Sequence, residues 1–181
     1  MLADLLKRDR AEILDRWFDL ILQSYPADSA QFLRQTQKQF ANPVGYTIAR
    51  EIGLILDSLL DGASPDADLS ASLDRIIRIR SVQEFTASQA VGFVFRLKSI
   101  IHELAKRLPD SDRCEAELRE IDTRIDRLAL MAFDVYVKCR EEICEIKVNE
   151  FKRQTSALVR RLNPDLGCSD LSDKSEQTKG L

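Results

Sequence analysis

The sequence predicts an all-α protein, and three observations carry that prediction. Glycine and proline are scarce, with 6 and 5 residues among 181, whereas folds rich in β-strands need many tight turns. Apolar residues recur every three or four positions along most of the chain, which is the spacing of one face of a helix. Neither glycine nor proline occurs between Pro109 and Pro164. We therefore expect one helix there, roughly 75–80 Å long if unbroken.

The sequence pattern of the N-terminal part of the chain predicts two helices. Residues 2–24 carry a broad apolar face that includes Ile13, Trp17 and Ile21, and Tyr25-Pro26 ends this first helix because a residue before proline disfavours helical backbone. Asp28 or Ser29 can cap a short second helix that reaches toward Phe40.

Asn42-Pro43 is the clearest local signal in the chain. Asparagine is a strong N-cap, and proline is tolerated at the first helical position. The helix that follows places Val44, Ile48 and Leu59 on one stripe, and Gly62 supplies a left-handed stop. A loop then leads to a further helix over about residues 68–80.

Residues 84–108 predict the next helix, which starts at Thr86 or Ser81. The turn after Pro109 leads into the long helix. Residues 163–181 are polar and nearly free of apolar side chains, so we expect a disordered tail. The predicted organisation is thus one helical domain over 1–162, with five to six helices, followed by a polar tail over 163–181.

The long helix has different expected environments along its length. An apolar seam from Leu118 to Cys139 favours packing inside the domain. The segment 128–137 is almost wholly apolar, so we expect it to be buried on all sides, with Phe133 in the core. The charged ends should project, and the C-terminal third is the predicted dimer or partner surface, formed by Ile143, Ile146, Phe151, Lys152, Arg153, Arg160 and Arg161.

Three small residues, Gly45, Ala49 and Gly53, fall four positions apart in the predicted helix after Asn42. Glycine within a helix costs up to about 1 kcal/mol relative to alanine, so a compensating contact is expected. Close approach of another helix is one explanation, and a small ligand pocket over the strip is the other.

The sequence offers little support for catalysis or cofactor chemistry. His102 is the single histidine, so no multi-histidine metal site can form. The four cysteines include no CxxC pair, and motifs for nucleotide phosphates and hydrolase nucleophiles are missing. We therefore expect a non-enzymatic protein without a cofactor or metal.

Charge and hydropathy suggest a cytoplasmic location. The net charge of −3 gives no general attraction to nucleic acid. The charged N-terminus does not look like a signal peptide, and no apolar run reaches the roughly 20 residues of a membrane span.

Two stretches together resemble a known family. One is Arg10-Ala-Glu-Ile-Leu-Asp-Arg-Trp17-Phe-Asp-Leu-Ile, and the other begins Phe40-Ala-Asn-Pro-Val-Gly-Tyr46 and runs to Gly62. Their order and spacing resemble the N-terminal domain of the RsbRD-type co-antagonists of RsbT, which are stressosome sensor proteins. The stretch from Ser81 to Leu104 is also similar to a later helix of that family, and the resemblance covers about residues 5–150.

The resemblance implies a globin-like helical sensor domain that forms a homodimer and passes a signal along its last helix to a protein partner. Such domains usually precede a STAS domain, whereas residues 163–181 do not resemble the start of one. Two alternatives stay open: a haem- or small-ligand-binding globin-like protein that uses His102, and an adaptor subunit of a redox enzyme complex.

Overall fold

Helices make up most of the described part of the protein. A computed structural model describes residues 2–35, 40–61, 66–83, 85–108 and 114–162, without the side chains of 35, 66 and 157–162. These residues contain eight helices and no strand, which confirms the predicted all-α class and the long C-terminal helix. The helices are α1 (Leu2–Arg8), α2 (Arg10–Leu22), α3 (Ala27–Gln35), α4 (Pro43–Asp61), α5 (Asp66–Val82), α6 (Ala87–Val91), α7 (Phe93–Ala105) and α8 (Glu115–Leu162).

Two predicted helices are each divided in the structure, which raises the number from six to eight. The first divides at Asp9, whose φ of −93° and ψ of 17° depart from helical values. The other divides at Gly92, where an added Cβ would lie 2.5 Å from the Ser88 carbonyl oxygen. A side chain at Gly92 would therefore collide with the preceding turn, so this junction requires glycine.

Two predicted helix starts, at Asn42 and Thr86, are confirmed, whereas the predicted cap at Asp28 or Ser29 is wrong because α3 already begins at Ala27. Asn42 precedes α4, and its Oδ1 accepts the Gly45 N–H at 2.9 Å. Thr86 precedes α6 and forms a capping box with Gln89, because each side chain binds the backbone N–H of the other. Residues 62–65, which include the predicted stop at Gly62, lie outside the described residues.

The core forms where α2 packs against α4 and α7. Trp17, Ile48 and Leu97 are fully buried in it, as expected. The indole Nε1–H of Trp17 donates a 2.8 Å hydrogen bond to the Phe93 carbonyl, so the largest core side chain has its polar atom satisfied.

The first part of α8 belongs to this core. Ile121, Ile125, Leu128, Ala132 and Cys139 are buried, as the seam predicts. Polar contacts add to this packing: Arg124 donates to the Leu59 carbonyl at 3.0 Å, and the Tyr136 hydroxyl donates to the Phe85 carbonyl at 2.9 Å.

The expectation that the middle of α8 is buried on all sides is wrong. Leu130 is 69% exposed and Phe133 is 47% exposed, so Phe133 is not a core residue. Successive residues turn by about 100° on a helix. Leu128 and Leu130 therefore point to nearly opposite sides of α8. Leu128 lies on the side that packs against the other helices of the first unit, and Leu130 lies on the exposed side.

The chain forms two compact units, residues 1–140 and 141–181. Helices α1–α7 and the first part of α8 belong to the first unit. The described part of the second unit is the continuation of α8 over residues 141–162. The polar tail predicted over 163–181 lies outside the described residues, and the predicted domain division stays a prediction. No described helix combines the length and apolarity of a membrane span.

Candidate functional site

The strip of small residues on α4 has different neighbours at its two ends. A Cβ at Gly45 would lie 2.4 Å from Asn42 Nδ2 and 2.7 Å from the Leu33 carbonyl oxygen. Only a residue without a side chain fits there, because the buried Asn42 amide lies between α3 and α4. A Cβ at Gly53 would meet Arg10 Nη2 at 3.5 Å, an ordinary contact. Ala49 is partly buried against the core. A ligand pocket on this strip stays a prediction.

His102 lies on α7 and faces Asp122 of α8. Its Nε2 is 2.9 Å and 3.1 Å from the two carboxylate oxygens of Asp122, and the ring is partly exposed. The contact occupies one of the two nitrogens that could bind a haem iron. The haem role stays a prediction.

The predicted dimer or partner surface lies in the second unit. Ile146 and Phe151 are 68% and 69% exposed, and Ile143 is half-buried. Lys152 and Arg153 are exposed as well. Arg160 and Arg161 belong to α8, but their side chains lie outside the described ones. The role of this surface stays a prediction.

A further apolar surface, which we call the α6–α8 groove, lies in the first unit. It surrounds a cavity of about 500 Å³ whose lining includes Val91, Phe95, Leu130 and Phe133. Sequence reasoning missed it because a uniformly apolar segment gives no sign of which side is left uncovered. Large exposed apolar patches commonly mark interaction sites.

Arg80 of α5 is the second feature that sequence reasoning missed. It is 1% exposed, and its guanidinium carbon lies 4.3 Å from the Phe85 ring centroid, 5.4 Å from that of Tyr25 and 5.9 Å from that of Phe93. The sequence did contain a signal: Arg80 follows Leu73, Ile76 and Ile77 at intervals of seven, four and three, which places it on the apolar face.

Arg80 is surrounded by the rings of Tyr25, Phe85 and Phe93, which we call the aromatic cage. Burial has the largest effect on the pKa values in this cage. It lowers the pKa of Arg80 and raises the pKa of Tyr25, because desolvation disfavours the charged form of each group. An arginine keeps its proton even so, since its ordinary pKa lies far above neutral pH. The structure therefore encloses a positive charge among three aromatic rings.

The described residues contain no cluster of histidine, cysteine, aspartate or glutamate that could hold a metal ion. Cys114 and Cys139 are buried, and Cys144 is exposed.

Comparison with known proteins gives a family and a distant relative. An uncharacterised protein of Archaeoglobus fulgidus is 24% identical over 160 residues, which cover 85% of this chain and 91% of that protein. No solved structure matches the chain. Residues 11–148 match the family described as the RsbT co-antagonist protein rsbRD N-terminal domain. Since this match spans more than half of the sequence, the chain belongs to the family of RsbT co-antagonist protein rsbRD N-terminal domains.

Proposed function

We propose that this protein is a non-enzymatic signalling domain of the stressosome type, which acts as a homodimer and regulates a protein partner through α8. The family match over residues 11–148 carries the proposal, because this family consists of regulatory signalling domains. We place this role in the cytoplasm, where the family typically acts. The buried thiols Cys114 and Cys139 and the absence of a metal cluster in the described residues give a catalytic role no particular support.

The second unit supports a contact between two copies. Its described part is a single helical segment, and Ile146, Val148 and Phe151 are each at least half exposed. Most helical stability in proteins comes from packing an apolar face against other elements. No other described element of the second unit covers these side chains, so a second α8 is the natural partner.

Light scattering during size-exclusion chromatography tests the dimer. We expect the full chain at micromolar concentration to run at twice its 20.6 kDa mass. Phe151→Glu should dissociate it, because each copy would bring a carboxylate into an apolar contact at a cost of several kcal/mol. Asn149→Glu is the matched control, since Asn149 is exposed on the same segment and should leave the dimer intact.

Two results would contradict this part of the proposal. A monomeric wild-type chain would exclude the homodimer. A dimer that survives both Phe151→Glu and Ile146→Glu would place the interface outside the second unit.

Crosslinking in the native cell tests the regulatory partner. A tagged chain should recover a second, different protein, and Phe151→Glu should reduce that recovery if the dimer presents the partner surface. Recovery of the chain alone after crosslinking would argue strongly against a partner-regulating role.

A further inference from the structure

A cavity of about 340 Å³ opens beside Arg80, in the first unit. Its lining comes from the end of α2, from α5, from α6 and from the start of α7, and includes Ser24, Arg80, Gln89, Phe93 and Arg96. It contains two arginines, whereas none of the described residues that line it is acidic. The cavity is therefore a positively charged space.

The hydrogen bonds of Arg80 leave its charge incompletely compensated. Nη2 donates to the Ser24 hydroxyl oxygen at 2.9 Å and to the Gln89 carbonyl oxygen at 2.8 Å. Nε and Nη1 are buried without an acceptor among the described residues. Both acceptors of Nη2 are neutral, and a buried cation ordinarily has an anionic partner as well.

The aromatic cage offsets only part of this deficit. The faces of Phe85, Tyr25 and Phe93 attract the guanidinium through their ring quadrupoles. The rings accept no conventional hydrogen bond from Nε or Nη1 at these distances. The Tyr25 hydroxyl interacts with Arg80 but is neutral, so the cage supplies no net negative charge. An anion in the adjoining cavity would supply the missing counter-charge.

The rest of the lining selects the kind of anion. Leu20, Ile21 and Phe93 provide apolar surface, and the Ser88 hydroxyl can donate to an oxyanion, whereas the Ser24 hydroxyl already donates to the Ile21 carbonyl at 2.6 Å. The volume lies at the low end of ligand-binding cavities. Arginine prefers carboxylate and phosphate groups, because its planar fork matches their oxygens.

We propose that this cavity binds a small organic carboxylate with a compact apolar body, whose charge lies near Arg80 and Arg96 and whose apolar part packs on Leu20, Ile21 and Phe93. The inference goes beyond the proposed signalling function. Binding can be measured on the purified chain whether or not that chain regulates a partner.

The single tryptophan provides the readout. Trp17 donates its indole N–H to the Phe93 carbonyl, and the two ring centroids are 6.1 Å apart. Titration of the full chain with benzoate should therefore give a saturable change in fluorescence and a higher melting temperature. Benzamide has the same shape without the charge and should give neither. Inorganic phosphate should act more weakly than benzoate, because it has no apolar body.

Three variants locate the site. Arg96→Gln, at an exposed position, should weaken benzoate binding by up to about fivefold. Arg80→Lys keeps the charge but loses the fork, and should weaken binding at least about tenfold. Arg50→Gln, exposed on α4 and away from the cavity lining, should change nothing.

Several outcomes would overturn the assignment. One is the lack of a saturable response to benzoate up to about 10 mM, beyond what matched chloride produces. An equal response to benzamide or to phosphate would also overturn it, as would unchanged binding in a folded Arg80→Lys variant. If that variant does not fold, Arg96→Glu decides: it should weaken benzoate binding more than Arg96→Gln does, and unchanged binding would refute the proposal.

Discussion

Asn42→Asp is the substitution that most sharply separates local capping from tertiary structure. Asparagine and aspartate are about equally good N-caps, so a purely local account predicts almost no change. In the structure Asn42 is fully buried and uses both ends of its amide. Oδ1 caps α4 through the Gly45 N–H at 2.9 Å, while Nδ2 donates to the carbonyl oxygens of Leu33 at 2.8 Å and of Phe32 at 3.4 Å.

The expected loss of stability follows from the hydrogen bonds that Asn42 Nδ2 donates. An ionised aspartate keeps the cap but cannot donate, so the buried Leu33 carbonyl loses its partner and faces a negative oxygen. An orphaned buried acceptor costs about 1–3 kcal/mol, and the burial of the carboxylate adds to it. We expect Asn42→Asp to lower the free energy of unfolding by about 2–4 kcal/mol at pH 7. Asn42→Ala should cost a similar amount, with about 1 kcal/mol of it from the lost cap.

The pH dependence adds an independent check. Burial should raise the pKa of the introduced carboxyl above its unfolded value of about 3.9. At a pH below the unfolded pKa the carboxyl is protonated and can donate to the Leu33 carbonyl, so the loss of stability should be smallest there. The loss should grow as the pH rises from the unfolded to the folded pKa.

Urea denaturation followed by Trp17 fluorescence and circular dichroism measures these differences, each against the wild type at the same pH. Asn149→Asp, at an exposed position of α8, is the control and should stay within about 0.5 kcal/mol. If Asn42→Asp also stays within about 0.5 kcal/mol at pH 7 while Asn42→Ala loses about 1 kcal/mol, Asn42 acts only as a cap and the tertiary argument fails.

Two further predictions concern close packing and charge. Gly45→Ala should destabilise the fold by about 1–3 kcal/mol, because the new methyl group would collide with a backbone carbonyl. Gly53→Ala should stabilise the fold by about 0.5–1 kcal/mol, because alanine favours the helix and meets no neighbour closer than an ordinary contact. Equal urea midpoints for the two variants would contradict the geometry. Hydrogen bonding to Arg107 lowers the pKa of Glu12 in the folded protein. This exposed pair therefore contributes modest stability at a pH above the unfolded pKa of about 4.3. That contribution is lost as the pH falls through the lowered pKa of the folded protein. The difference in urea midpoint between the wild type and Arg107→Gln should therefore shrink from pH 7 to pH 3, and an unchanged difference would refute this.

The sequence alone predicted the helical segments and the starts of α4 and α6, but not the breaks at Asp9 and Gly92. Asn42-Pro43 and Thr86 could be found because a cap depends on residues within one turn of itself. The buried seam from Ile121 to Cys139 could be found because its spacing is set by the helix. Gly45 was singled out by its spacing, but its neighbours Asn42 Nδ2 and the Leu33 carbonyl were not predicted.

Only the tertiary structure decided which apolar side chains stay uncovered and where charge is enclosed. Phe133 and Leu130 lie in a uniformly apolar segment, and their exposure depends on which other helices reach that side of α8. Arg80 follows the apolar stripe of α5, yet its cage requires rings from Tyr25 and Phe93, which are distant in the chain. Helix caps and helical periodicity depend on residues that are close in sequence, so they can be predicted from the sequence. The covered faces and the enclosed cation depend on contacts between segments that meet only when the chain folds.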